Sequence, residues 1–307
     1  MWQSRRVATA LVFLLGLVIG SFLNVCIARL PEEQSIVAPR SRCPRCGAPI
    51  RPYDNIPVLS WILLRGRCRD CRAPISPWYP AVELLTALLF VWCYQAFGVS
   101  VLGLKWLVFA CLLVVLIVTD LRTRLLPDAV TWPGFGLGLA FSAAAPPQDG
   151  IALGLVAHFL HRVPPATVLG LADALIGALF GSLMLWLAGW IYFQWRGREG
   201  LGFGDVKMMA MAGAFLGLRD TFLTILAGTL LGTVVGLGII FVLYAGGWKR
   251  QVAQRASGRG MGRVNALRWA LASRYQLPLG SFLGIAALLI ALFGDAAWGW
   301  WFAWAGR

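Results

Sequence analysis

The chain has 307 residues, 59% of them hydrophobic and only 13% charged, with 15 tryptophans. Water-soluble domains carry about 25% charged residues, so an ordinary soluble protein is excluded. The formal net charge of +14 would suggest nucleic acid if it were spread over one soluble surface, so its placement decides its meaning.

Apolar stretches of membrane-spanning length recur from end to end, and no strand-like alternation suggests a barrel. The expected fold is an all-α polytopic membrane protein of about eight transmembrane helices, which satisfy their backbone hydrogen bonds internally. The expected spans are 7–28, 80–97, 101–119, 129–145, 169–193, 206–218, 221–245 and 278–294. The first follows Arg5 and Arg6 and could be mistaken for a signal peptide. It is too long for an h-region and no small-residue cleavage site follows, so it reads as a retained span.

With these spans, segments 29–79, 120–128, 194–207 and 246–277 fall on one side and hold 21 of the 27 Lys/Arg residues. This asymmetry places them in the cytoplasm. It explains the net charge through topology, with no nucleic-acid partner. The chain then divides into a first span (1–28), a cytoplasmic module (29–79) and a membrane bundle (80–307).

The module is rich in proline and carries Cys43, Cys46, Cys68 and Cys71 as two CxxC pairs with 21 residues between them. Two such knuckles supply a tetrahedral four-sulfur shell, so structural Zn2+ is the expected ligand, with iron the weaker alternative. Disulfides are disfavoured by the reducing cytoplasm. Further along, 146–168 with His158 and His161 is expected as a loop or short surface helix outside, and the basic segment 246–277 suits an anionic lipid surface. Gly228, Gly232 and Gly236 form a small-residue stripe for close helix packing. No internal repeat is evident, which weighs against an inverted-repeat transporter.

Acids are scarce, so each can be weighed. Glu83 at the foot of the second span reads first as a helix N-terminal acid. Asp120 closes the third span in "VLIVTDLRTRLLPDAV" and Asp205 opens the sixth in "GFGDVK". Both fall at cytoplasmic ends and can meet across the bundle. An acid within a bilayer costs about 2.5–3.5 kcal/mol, which makes it a functional candidate. Two close carboxylates sharing one proton supply the base and the acid that metal-free peptide hydrolysis needs. Gly202 and Gly204 would let the backbone bend and a substrate strand approach.

The chain resembles the type IV prepilin peptidases, membrane aspartyl proteases of the GxGD type. The resemblance rests on "GSFLNVCIARLP" (20–31), the cysteine module through 90, "TDLRTRLLPD" (119–128) and "GFGDVKMMAMAGAFLG" (202–217). It implies that Asp120 and Asp205 are catalytic, with Gly202, Gly204, Lys207 and Asp128 in support. It implies cleavage of basic leaders from type IV prepilins and type II secretion pseudopilins at the cytoplasmic face of the bacterial inner membrane. N-methylation of the new amine with S-adenosylmethionine is implied too, with Gly66 and Glu83 as candidate residues for that step. One departure is Ser281 in "LPLGSFLGIA", where a second proline is expected. The rival readings are a proton-coupled transporter, which would prefer acids at mid-membrane, and a metal-site redox or binding protein, which leaves both acids idle.

Overall fold

The computed structural model describes residues 2–146, 164–198, 200–245 and 278–305. Most of the outer loop, with both histidines, and the basic segment 246–277 lie outside the described residues.

The fold is helical, and among the described residues strand-like pairing is limited to two isolated β-bridges. The helices are α1 (Trp2–Arg29), α2 (Leu59–Leu63), α3 (Trp78–Phe97), α4 (Val101–Thr123), α5 (Asp128–Ala144), α6 (Ala166–Arg196), α7 (Phe203–Ala245) and α8 (Leu279–Ala305). Five of them, α1, α3, α4, α6 and α7, are long and apolar enough to cross a membrane. Local chemistry sets several ends. Ser100 caps α4 by accepting the Gly103 N–H at 3.0 Å, satisfying a donor that a helix start leaves open. Gly98 and Gly197 end α3 and α6 at positive φ, Gly197 in the left-handed helical conformation.

The long α7 is not one straight rod. A Cβ built on Gly181 of α6 would lie 2.8 Å from Cγ2 of Thr221 and 3.0 Å from the carbonyl oxygen of Met209. Twelve residues of straight helix would separate those two positions by about 18 Å. The chain therefore doubles back at Gly217, whose φ of 74° is open to glycine. The Leu218 N–H freed at the turn donates to Oδ1 of Asp173 at 3.4 Å. The two expected spans 206–218 and 221–245 are thus the two arms of one hairpin.

Glycines set the close contacts. Gly20 of α1 packs against the Glu83 backbone of α3, where an added Cβ would sit 2.7 Å from its Cα. Gly228 and Gly232, from the expected stripe, face Leu283 and Phe282 of α8. Large apolar side chains such as Leu11, Leu14 and Val18 stay exposed along α1, as suits a lipid-facing surface. Phe109 and Phe215 stack at 4.7 Å in the buried centre.

Charge placement departs from expectation at one end of the bundle. Lys105, inside the expected span 101–119, is buried near the start of α4, with its Nζ 3.3 Å from Ser142 Oγ. Asp173, inside the expected span 169–193, is buried as well. Ser142 in turn donates to the Ala214 carbonyl at 2.8 Å. This polar cluster holds the hairpin tip, a role that hydropathy does not reveal.

Candidate active site and metal centre

Asp120 lies in the last turn of α4 and Asp205 in the first turn of α7, both buried. They meet at the start of α8. A Cβ built on Gly280 would lie 2.7 Å from Oδ1 of Asp205 and 3.1 Å from Oδ2 of Asp120. One methyl-sized volume therefore touches both carboxylates, and only glycine leaves it open. Carboxylates this close cannot both ionise without cost, which is the condition for sharing a proton.

The surroundings are specific. Ser281 donates to Oδ2 of Asp120 twice, from its backbone N–H at 2.6 Å and from its hydroxyl at 2.7 Å. Lys207 donates to both oxygens of Asp128 at 2.7 and 2.8 Å, tying the start of α5 to the start of α7. Gly202 and Gly204 do not serve as left-handed hinges, since neither has a positive φ. Gly204 lies inside α7 and lets Leu126 close in, 3.1 Å from where its Cβ would be. Gly202 accepts the Asp205 N–H at 3.1 Å. The expected sharp bend is replaced by close packing around the acids.

The four cysteines converge. Their sulfurs all lie within 4.8 Å of one another, and Cys43 Sγ is 3.8 Å from Cys71 Sγ. Zn–S bonds of about 2.3 Å in a tetrahedron put sulfurs about 3.8 Å apart. All are free thiols at separations far beyond a disulfide bond. The Cys46 and Arg45 N–H groups pull the Cys43 thiol down to about 6. Cys46 stays up at about 11 despite the Ala48 N–H, because of burial and the neighbouring Cys43 and Cys71. Such thiols cannot all ionise without a cation, and the donor set fits one metal ion.

The knuckles repeat in sequence and in shape. "CPRCGAPI" (43–50) and "CRDCRAPI" (68–75) share Cys-x-x-Cys-x-Ala-Pro-Ile. Cys43 N–H donates to Ala48 O at 2.9 Å, and Cys68 N–H to Ala73 O at 2.8 Å. Gly47 and Arg72 occupy equivalent left-handed positions. The repeat thus extends beyond the two CxxC pairs through the Ala-Pro-Ile that follows each. Asp54 pairs with Arg69 at 2.5 and 2.8 Å, fixing the second knuckle to the turn at Pro52–Asn55. The Arg69 guanidinium holds the Asp54 carboxyl below the usual range.

Glu83 is not a simple helix-start acid. It is buried in α3, and its Oε2 accepts the Val58 N–H at 2.7 Å, docking the module onto the bundle. It also lines a cavity of about 460 Å³ between the module, α1 and α3. Asn24, Arg29, Trp61, Tyr79 and Arg122 are further lining residues. Gly66 is not among them; it sits behind Trp61 with φ 65°, a turn glycine. Arg122 follows Asp120 by two residues, so the cavity and the acid pair share one end of the bundle.

Fold and site together define a multi-pass helical membrane protein with two converging acids and a four-cysteine cluster at the same end. Residues 14–97 match the family model for the bacterial peptidase A24 N-terminal domain, and residues 107–237 match that of the type IV leader peptidase family. The prepilin leader peptidase/N-methyltransferase of Aeromonas salmonicida is 34% identical over 95% of this chain and 92% of its own length. That of Pseudomonas aeruginosa is 33% identical over 92% of this chain and 89% of its own. The Myxococcus xanthus protein of the same name is 43% identical over 74% of this chain, which spans only 61% of that relative. The chain therefore belongs to the type IV leader peptidase family. No solved structure gives a significant match.

Proposed function

We propose that the protein cleaves the leaders of type IV prepilins and type II secretion pseudopilins and methylates the amine that cleavage exposes. Its relatives are named for both activities. The observation that carries the peptidase reading is the convergence of Asp120 and Asp205 on the space above Gly280. One carboxylate takes a proton from water as its oxygen adds to the scissile carbonyl. The other protonates the departing amide nitrogen, and the tetrahedral adduct collapses to acid and amine. Lys207 and Asp128 hold α5 against α7 beside the pair. The transporter alternative finds no support in the acids, which lie at helix ends.

The bundle is set in the bacterial inner membrane, with the acids and the cysteine module facing the cytoplasm. The basic asymmetry of the loops supports that orientation. The chain divides into the first span, the module (29–79) and the peptidase bundle (80–307). Zn2+ held by Cys43, Cys46, Cys68 and Cys71 folds the module, which has little core of its own.

The cavity beneath the module fits the methyl donor. Its volume is in the usual range for small-molecule sites. Trp61 and Tyr79 offer aromatic faces, and Glu83 is an acid for a sulfonium or for the substrate amine. Arg29 and Arg122 would hold a carboxylate. S-adenosylmethionine, when bound, supplies the methyl group; Glu83 and its neighbours orient the acceptor. Incubation of the purified protein with a prepilin, with and without the methyl donor, tests the reading by product mass. Loss of the leader in both samples, with one added methyl only where the donor is present, supports it. An intact prepilin in both contradicts it.

A further inference from the structure

The family resemblance leads one to expect proline at position 281, and proline has neither a backbone N–H nor a hydroxyl. This chain has serine there, fully buried, with both donors aimed at one oxygen of Asp120. The hydroxyl also lies 3.2 Å from the Ile117 carbonyl. Its single proton goes to the shorter, carboxylate contact. The backbone donor is fixed at the N-terminal end of α8, where the helix dipole favours an anion.

We propose that Ser281 is a positioning residue that holds Asp120 as the hydrogen-bond acceptor of the pair, making Asp120 the base and leaving Asp205 the proton donor. This rests on the reading of Asp120 and Asp205 as the catalytic pair. An oxygen accepting two hydrogen bonds has both in-plane lone pairs occupied. Oδ2 therefore has no room for the shared proton, and the Asp120 carboxylate is locked in place. The water proton passes to Oδ1 of Asp120 while the water oxygen bonds to the carbonyl carbon. The proton on Asp205 passes to the leaving nitrogen as the C–N bond breaks. Return of the proton from Oδ1 of Asp120 to Asp205 resets the pair.

The test is steady-state cleavage of a prepilin by the full-length protein in lipid, with thermal unfolding measured on each variant. Ser281→Ala removes the hydroxyl and keeps the N–H; kcat falls about tenfold with KM unchanged. Ser281→Thr keeps both donors and restores most of that loss. Ser281→Pro removes both donors and lowers kcat further. Unchanged kcat in the Ala and Pro variants overturns the proposal. So does a loss of kcat in all three that tracks a lowered unfolding midpoint, because that is packing alone. Asp120→Asn separates the two claims. If it cleaves normally, the catalytic pair itself is wrong. If it is inactive while Ser281→Pro is fully active, the pair stands and the role of Ser281 falls.

Discussion

Asp120 and Asp205, 85 residues apart in the chain, border one volume that a single methyl group would fill. Gly280 has no positive φ, so alanine is acceptable to its backbone. Gly280→Ala would push a Cβ against both carboxylates without unfolding the helix start. Cleavage should fall about a hundredfold, the scale of an ångström-sized misplacement at a reacting centre. Circular dichroism and thermal unfolding should stay close to the parent. Full cleavage by this variant would place the reaction elsewhere.

The Lys207–Asp128 pair is partly exposed, so screening limits its worth to roughly 0–1 kcal/mol. Lys207→Met or Asp128→Asn should reduce cleavage by no more than about fivefold. The double variant should cost little more than either single one. An effect of Asp128→Asn as large as that of Asp120→Asn would move Asp128 into the catalytic set.

Metal removal separates the activities. Chelation or Cys68→Ser should release the ion and loosen residues 43–71, which the acids on α4 and α7 do not depend on directly. Methylation should fall more than cleavage, because the cavity with Glu83 is roofed by the module. Metal content measured beside product mass checks this. Full methylation by metal-free protein would contradict it, and cleavage lost with methylation kept would reverse the assignment.

The Asp54–Arg69 bond gives the module an acid sensitivity. Burial of this pair is incomplete, since the Arg69 side chain is 45% exposed. The folded carboxyl is held below its unfolded range. Its contribution is thus present above the ordinary carboxylate range and lost as pH falls through the lowered folded value. Asp54→Asn should weaken the module slightly at neutral pH and flatten that part of its acid dependence. Hydrogen exchange of residues 67–75 between pH 3 and pH 7 reads both effects.

The hairpin tip offers a stability test. Gly217 is left-handed and faces the Asp173 carboxylate. Gly217→Ala should destabilise the fold by about 1–2 kcal/mol from the backbone alone, and more from the clash. A midpoint of thermal unfolding equal to the parent's would show that the chain does not turn there.

The acids and the cysteines were legible because charge and paired thiols are rare in so apolar a chain, and spacing carries their chemistry. The two hairpin arms were legible as separate spans because hydropathy dips near Gly217. Ser281 was not legible as a partner of Asp120, since it looked only like a missing proline and the contact spans 161 residues. The burial of Lys105 was not legible, because its hydroxyl partner Ser142 lies 37 residues away in the chain. Gly204 was assigned a bend, whereas Leu126 needed the room.

The most direct measurement is prepilin cleavage by Asp120→Asn and by Asp205→Asn, each confirmed as folded and membrane-inserted. Asparagine keeps the shape and removes the proton exchange. The account predicts that each single variant loses cleavage by at least about a thousandfold and that the double variant is no worse. Near-normal turnover by either variant would contradict the shared-proton pair on which the account stands.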